Sequence, residues 1–118
     1  SHTGLKGHCD TNRNISDELM ADIASRGGLI AIGYWDAAVC GSTPTDVANA
    51  IIYGIELVGE DHLSLGSDYD GAIATSFDTS ELAALTHVLL EKGVSVDAIR
   101  KIMGGNMLRF LQQYLPAE

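Results

Sequence analysis

Residues 28–34 read GLIAIGY, and residues 62–71 read HLSLGSDYDG. The first is a compact apolar run without polar alternation, the pattern of a strand covered on both faces, and its natural setting is a parallel sheet. The second holds a shorter strand, residues 63–67, that runs into a loop with two aspartates around Tyr69. Carboxylates are therefore expected at the C-terminal end of a strand. The two strands are expected to be parallel neighbours, with His2, the loop after Tyr34 and Asp68 gathered at one end of the sheet.

Outward from these runs the chain reads as helices. ISDELMADIASRGG (15–28) spaces Ile15, Leu19 and Ile23 four apart, with Ser16, Asp17 and Glu18 as a polar first turn and Gly27 as a stop. TPTDVANAIIYGIELVG (43–59) has Thr43 as N-cap, Pro44 at the first helical position and Asp46 in the first turn, then Val47, Ile51, Ile55 and Val58 on one face. SELAALTHVLLEKG (80–93) aligns Leu82, Leu85 and Leu89 and closes at Gly93, and two further helical pieces are separated by Gly104 and Gly105.

Helix, strand, helix, strand, helices is the alternation of βα units. Two strands do not make a closed parallel sheet, and a third ending at Ser1 would still leave an apolar edge exposed. A complete (β/α)8 barrel needs about 250 residues. The expected fold is therefore α/β, the C-terminal part of a TIM-type barrel, incomplete in this chain. Residues 1–118 form one fragment of a single barrel domain, and His2 is the end of a strand whose body is missing. No internal repeat, low-complexity stretch or linker divides it.

Composition narrows the partners. The 118 residues are 46% hydrophobic and 19% charged, richer in apolar side chains than a disordered chain, and no apolar run approaches a bilayer span. Seven basic against sixteen acidic residues give a net charge of -9, which repels phosphate backbones and anionic membranes, so nucleic acid is excluded as a partner. Cys9 and Cys40 are too few for a disulfide framework and lack CxxC spacing, so both are read as free thiols. Nothing here fixes a compartment, and cytoplasmic, periplasmic and membrane-anchored parents all remain open.

Taken singly, no polar residue is specific. His2 could be a solvated terminal histidine, Arg13 between Asn12 and Asn14 a surface turn residue, and SDYDG (67–71) a turn shaped by Asp and Gly. Together, SHTGLKGHCDTNRNISDELM, GGLIAIGYWDAAVCG, IELVGEDHLSLGSDYDG and IRKIMGGNMLRFL resemble successive blocks of the C-terminal portion of the membrane (renal) dipeptidase family and its bacterial relatives. The most specific features are the initial Ser-His, the Asn-Arg-Asn that follows, the Gly-Ser-Asp-Tyr-Asp-Gly loop and the final Gly-Gly-Asn.

The resemblance implies an amidohydrolase-type barrel with two zinc ions that hydrolyses the amide bond of dipeptides and related small substrates. It implies His2 as a zinc ligand, Arg13 as the grip on the substrate's terminal carboxylate, and Asp68 as the proton carrier beside the scissile bond. His8 and Cys9 fall outside the family's ligand pattern, His62 and His87 read as structural or solvated, and Asp70 and Gly71 as loop-shaping.

The family's His-x-Asp pair, bridging glutamate and remaining zinc histidine lie upstream of what this chain contains. Alone, the chain is expected to bind zinc weakly, to be inert, and to associate with the missing N-terminal part of the barrel or as a homodimer. Two other readings stand beside this one: another barrel amidohydrolase acting on an amide, ester or lactone, and a non-catalytic acidic α/β interaction module.

Overall fold

A computed structural model describes residues 2–116. Strands β1 (His2–Thr3), β2 (Ile30–Ile32) and β3 (Leu63–Leu65) form a parallel sheet in the order β1-β2-β3. His2 pairs with Ala31, and Ala31 with Ser64. The strands are shorter than the apolar runs, but the ladder reaches one residue further, because Gly33 N–H donates to Thr3 O and Gly66 N–H to Ile32 O, each at 2.9 Å. All three residues of β2 are buried, as a central strand covered on both faces requires. Ser1, where the sequence places a strand end, lies outside the described residues; β1 itself begins at His2.

Among the described residues, six α-helices pack with the sheet: α1 (Asp17–Ser25), α2 (Asp36–Val39), α3 (Pro44–Val58), α4 (Leu82–Glu91), α5 (Val96–Arg100) and α6 (Asn106–Tyr114). The expected start signals operate: the Ser16 side chain accepts from Leu19 N–H, and Thr43 and Asp46 form a reciprocal capping box at α3. Gly27 and Gly93 follow α1 and α4 with φ of 78° and 83°. Gly104, at φ 164° and ψ −28°, breaks the helical path between α5 and α6, where the two glycines separate the pieces.

The core joins Ile30, Ile32 and Leu63 of the sheet to Val47 and Ile51 of α3 and to Leu85 and Leu89 of α4. Helix α1 departs from its expected stripe. It buries Met20 and Ala24, while Leu19 is 46% exposed on the open side of β1. There it lines a cleft of about 260 Å³ with Thr3, Ile23 and Leu29.

The N-terminal end of β3 is pinned by polar contacts. Asn106, fully buried at the start of α6, donates from Nδ2 to Glu60 O at 2.7 Å and Leu63 O at 2.8 Å. Lys101 lies 2.7 Å from Glu60 and 3.1 Å from Asp61, and its bond to Glu60, with Asp61 second, holds the ammonium above the usual lysine range. The Gly-Gly-Asn motif therefore acts at the end of the sheet opposite His2 and Asp68.

The cysteines correct the sequence reading. Cys9 and Cys40 are not free thiols; they form a disulfide with Cα atoms 5.5 Å apart. Two cysteines are too few for a framework that spans the chain, but a single pair needs only two loops to meet. Parallel pairing of β1 with β2 brings the loop after β1 against the turn after β2, across 31 residues of sequence.

Reduction of this bond should lower stability by about 2–4 kcal/mol, as expected for a loop of that length. Thermal melting with and without dithiothreitol checks this, and an unchanged melting temperature would contradict it. A second expectation concerns Asp46, whose carboxylate accepts from Thr43 Oγ1 at 2.6 Å and from the Thr43 and Ser42 N–H groups, and titrates below the usual aspartate range. Its stabilisation is thus present above the unfolded aspartate pKa of about 4 and is lost as pH falls through the lowered folded value. Thr43→Ala should cost about 1 kcal/mol in urea unfolding at neutral pH.

Candidate functional site

Three loops leave the C-terminal ends of the strands and meet. From β1, His2 is half-buried, and its Nε2 lies 3.5 Å from Asp68 Oδ1, with side chains 35% and 18% exposed. Asp68 follows β3 at φ 61°, in the left-handed region that Asp enters more readily than most residues. Gly71 N–H donates to Asp68 O at 2.8 Å and closes the turn. The approach of β1 and β3 across Ala31 depends on Gly66: a Cβ there would stand 2.7 Å from Ala31 Cβ and 2.9 Å from His2 Cβ.

Arg13 lies in the loop after β1, which Asn14 winds into shape. Buried Asn14 donates from Nδ2 to Cys9 O at 2.8 Å and Ala38 O at 2.9 Å, and accepts from Gly4 N–H at 3.1 Å. Thr11 Oγ1 donates to Ala37 O at 2.7 Å, and the disulfide adds a covalent tie to the residue following α2. The Arg13 guanidinium lies over the Trp35 ring, 5.2 Å from its centroid. Trp35 in turn meets His2 edge to face, with ring centroids 5.7 Å apart. Among the described residues, no carboxylate forms an ion pair with Arg13.

His2, Arg13 and Asp68 therefore lie at one end of the sheet, in the order Asp68, His2, Trp35, Arg13. The loop bearing Asp68 is backed by Tyr34, which stacks on Phe77 and meets Tyr69 edge to face. Burial pushes the Tyr34 hydroxyl above the usual tyrosine range, so it stays protonated. Asp70 is exposed in the turn. His8 packs near Tyr53, Cys9 is committed to the disulfide, His62 Nδ1 lies 3.0 Å from Gly28 O, and His87 pairs with Glu91 on the surface.

The sequence motifs contain Asn14 and Gly66 without revealing what they do, and Trp35 is not singled out at all. A tryptophan immediately after an apolar strand reads as core, and the signal that separates it is its place on the C-terminal side of the run. The arrangement offers a histidine and a carboxylate in contact, beside an arginine able to take an anion. Among the described residues, no three His, Cys, Asp or Glu side chains converge to hold a metal ion. A zinc site takes at least three protein ligands, so the His2 and Asp68 donors do not complete one by themselves.

The model of the membrane dipeptidase family (peptidase family M19) matches residues 1–116. The chain belongs to the membrane dipeptidase family. Among curated relatives, the dipeptidase ataJ of Aspergillus terreus is 32% identical over 96% of this chain and 30% of its own length. The dipeptidase aclJ of Aspergillus oryzae is 34% identical over 94% of this chain and 28% of its own. The chain thus spans less than a third of these relatives. A metallo peptidase from Rhodobacter sphaeroides, solved with a phosphinate mimic of the dipeptide L-Ala-D-Ala, superposes with a TM-score of 0.85 at 23% identity, over 94% of this chain and 34% of that one. That likeness carries the shared fold.

Proposed function

We propose that residues 1–118 are the C-terminal portion of a zinc-dependent dipeptidase built on a (β/α)8 barrel, and that the remaining strands and metal ligands come from the rest of that barrel. The contact of His2 with Asp68, one indole away from Arg13, carries the reading. The parallel βα alternation and the fraction of each relative that the chain spans support it.

In this reading His2 supplies one imidazole ligand to a pair of zinc ions. When bound, such ions polarise a carbonyl and bring the pKa of water toward 7. Asp68 accepts the proton that the attacking water sheds and delivers it to the nitrogen of the leaving amine as the C–N bond breaks. Its half-buried place beside His2 limits competition from bulk water. Arg13 takes the terminal carboxylate of a dipeptide or related small substrate through two parallel N–H···O bonds. The chain's overall negative charge does not oppose this, because the nearest charge to that carboxylate is the guanidinium.

Steady-state kinetics with metal analysis on the complete protein tests the assignment. Asp68→Asn keeps shape but loses the basic carboxylate, so kcat should fall by about 100-fold or more with metal content unchanged. Asp70→Asn should cost much less, and Arg13→Lys should mainly raise KM. Near-normal turnover in Asp68→Asn, or a larger loss in Asp70→Asn, would overturn it.

A further inference from the structure

We propose that Trp35 is a positioning residue for carboxylate recognition, holding Arg13 on its ring in the orientation that receives the substrate's anionic end. The proposal rests on the dipeptidase reading above and extends it to a residue that touches neither metal nor substrate in that scheme.

Trp35 is only 7% exposed, although it lies beyond the end of β2 as the N-cap of α2. Its ring is seated by the backbone: Gly33 has no Cβ, and a Cβ there would run into the six-membered part of the indole. Residue 33 is also the last rung of the β1–β2 ladder, through Gly33 N–H to Thr3 O. The indole is thus fixed to the sheet rather than to the loop. Arg13 by contrast is exposed, on a loop, with a long side chain and many rotamers. Bidentate capture of a carboxylate requires the guanidinium plane to be oriented in advance, and the face of an indole is the best aromatic partner for doing so.

The same ring contacts His2. Trp35 therefore sets the spacing between the carboxylate anchor and the His2–Asp68 pair by the width of one indole. Asn14 and the disulfide hold the loop backbone above it, and Trp35 holds the side chain.

The test compares a free acid with its amide. In the complete protein, KM is measured for an L,L- or L,D-dipeptide and its C-terminal carboxamide. Affinity is measured by titration calorimetry for the phosphinate mimic of L-Ala-D-Ala and its carboxamide. Trp35→Leu should weaken the acid by about 10-fold, between the values for exposed and desolvated cation–π contacts, and leave the amide within about 2-fold. Trp35→Phe, which keeps an aromatic face, should recover most of the acid preference. Trp35→Leu added to Arg13→Ala should bring no further loss of that preference.

Equal weakening of acid and amide, additivity with Arg13→Ala, or no recovery in Trp35→Phe would overturn the proposal. Should Trp35→Leu fail to fold by thermal melting, Trp35→Met is read by the same ratio. A wild type that hydrolyses neither dipeptide contradicts the dipeptidase reading, while the acid-to-amide ratio for the phosphinate still decides the role of Trp35. Equal wild-type affinity for the phosphinate acid and amide overturns it.

Discussion

Ala31 lies between His2 and Ser64 in one continuous parallel register, and the meeting of His2 with Asp68 descends from that pairing. Parallel strands bring their C-terminal ends to the same side, so the loops after β1, β2 and β3 open together. Side chains alternate faces with a period of two, and a slip of one residue would turn His2 away from Asp68. The small residues Ala31 and Gly66 let the neighbouring strands approach without displacing the imidazole.

The two ends of the sheet do different work. At the N-terminal end, Asn106 and Lys101 hold β3 and the acidic turn at Glu60–His62 to the start of α6 and the segment before it by polar contacts. At the C-terminal end, the loop after β1 is tied to α2 by a disulfide, by Asn14 and by Thr11, while Asp68 occupies a left-handed backbone position. The covalent bond and the buried side-chain hydrogen bonds at this end hold its loops in one arrangement.

Much of the architecture was legible because burial writes its period into the sequence. β2 appeared as an unbroken apolar run and β3 as a short strand before a turn, and α3 announced itself through Thr43, Pro44 and Asp46. Helix α2 did not, since four residues show no periodicity. Leu19 matched a helical stripe yet points to the open side of β1, because periodicity identifies an apolar face without saying what covers it. The site divides in the same way. His2, Arg13 and Asp68 were singled out by motif and lie close together, but the Cys9–Cys40 bond and the Trp35 contact are products of strand pairing between segments far apart in sequence, and local pattern carries no trace of them.

The most direct measurement of the central claim is a crystal structure of the complete protein with zinc and the phosphinate dipeptide mimic, with metals located by anomalous scattering. The account predicts a zinc ion within about 2.0–2.1 Å of a His2 ring nitrogen. It also predicts the Arg13 guanidinium on the mimic's carboxylate and the Asp68 carboxylate against the phosphinate. Zinc ions bound without His2, or a carboxylate held elsewhere while Arg13 stays in solvent, would contradict it.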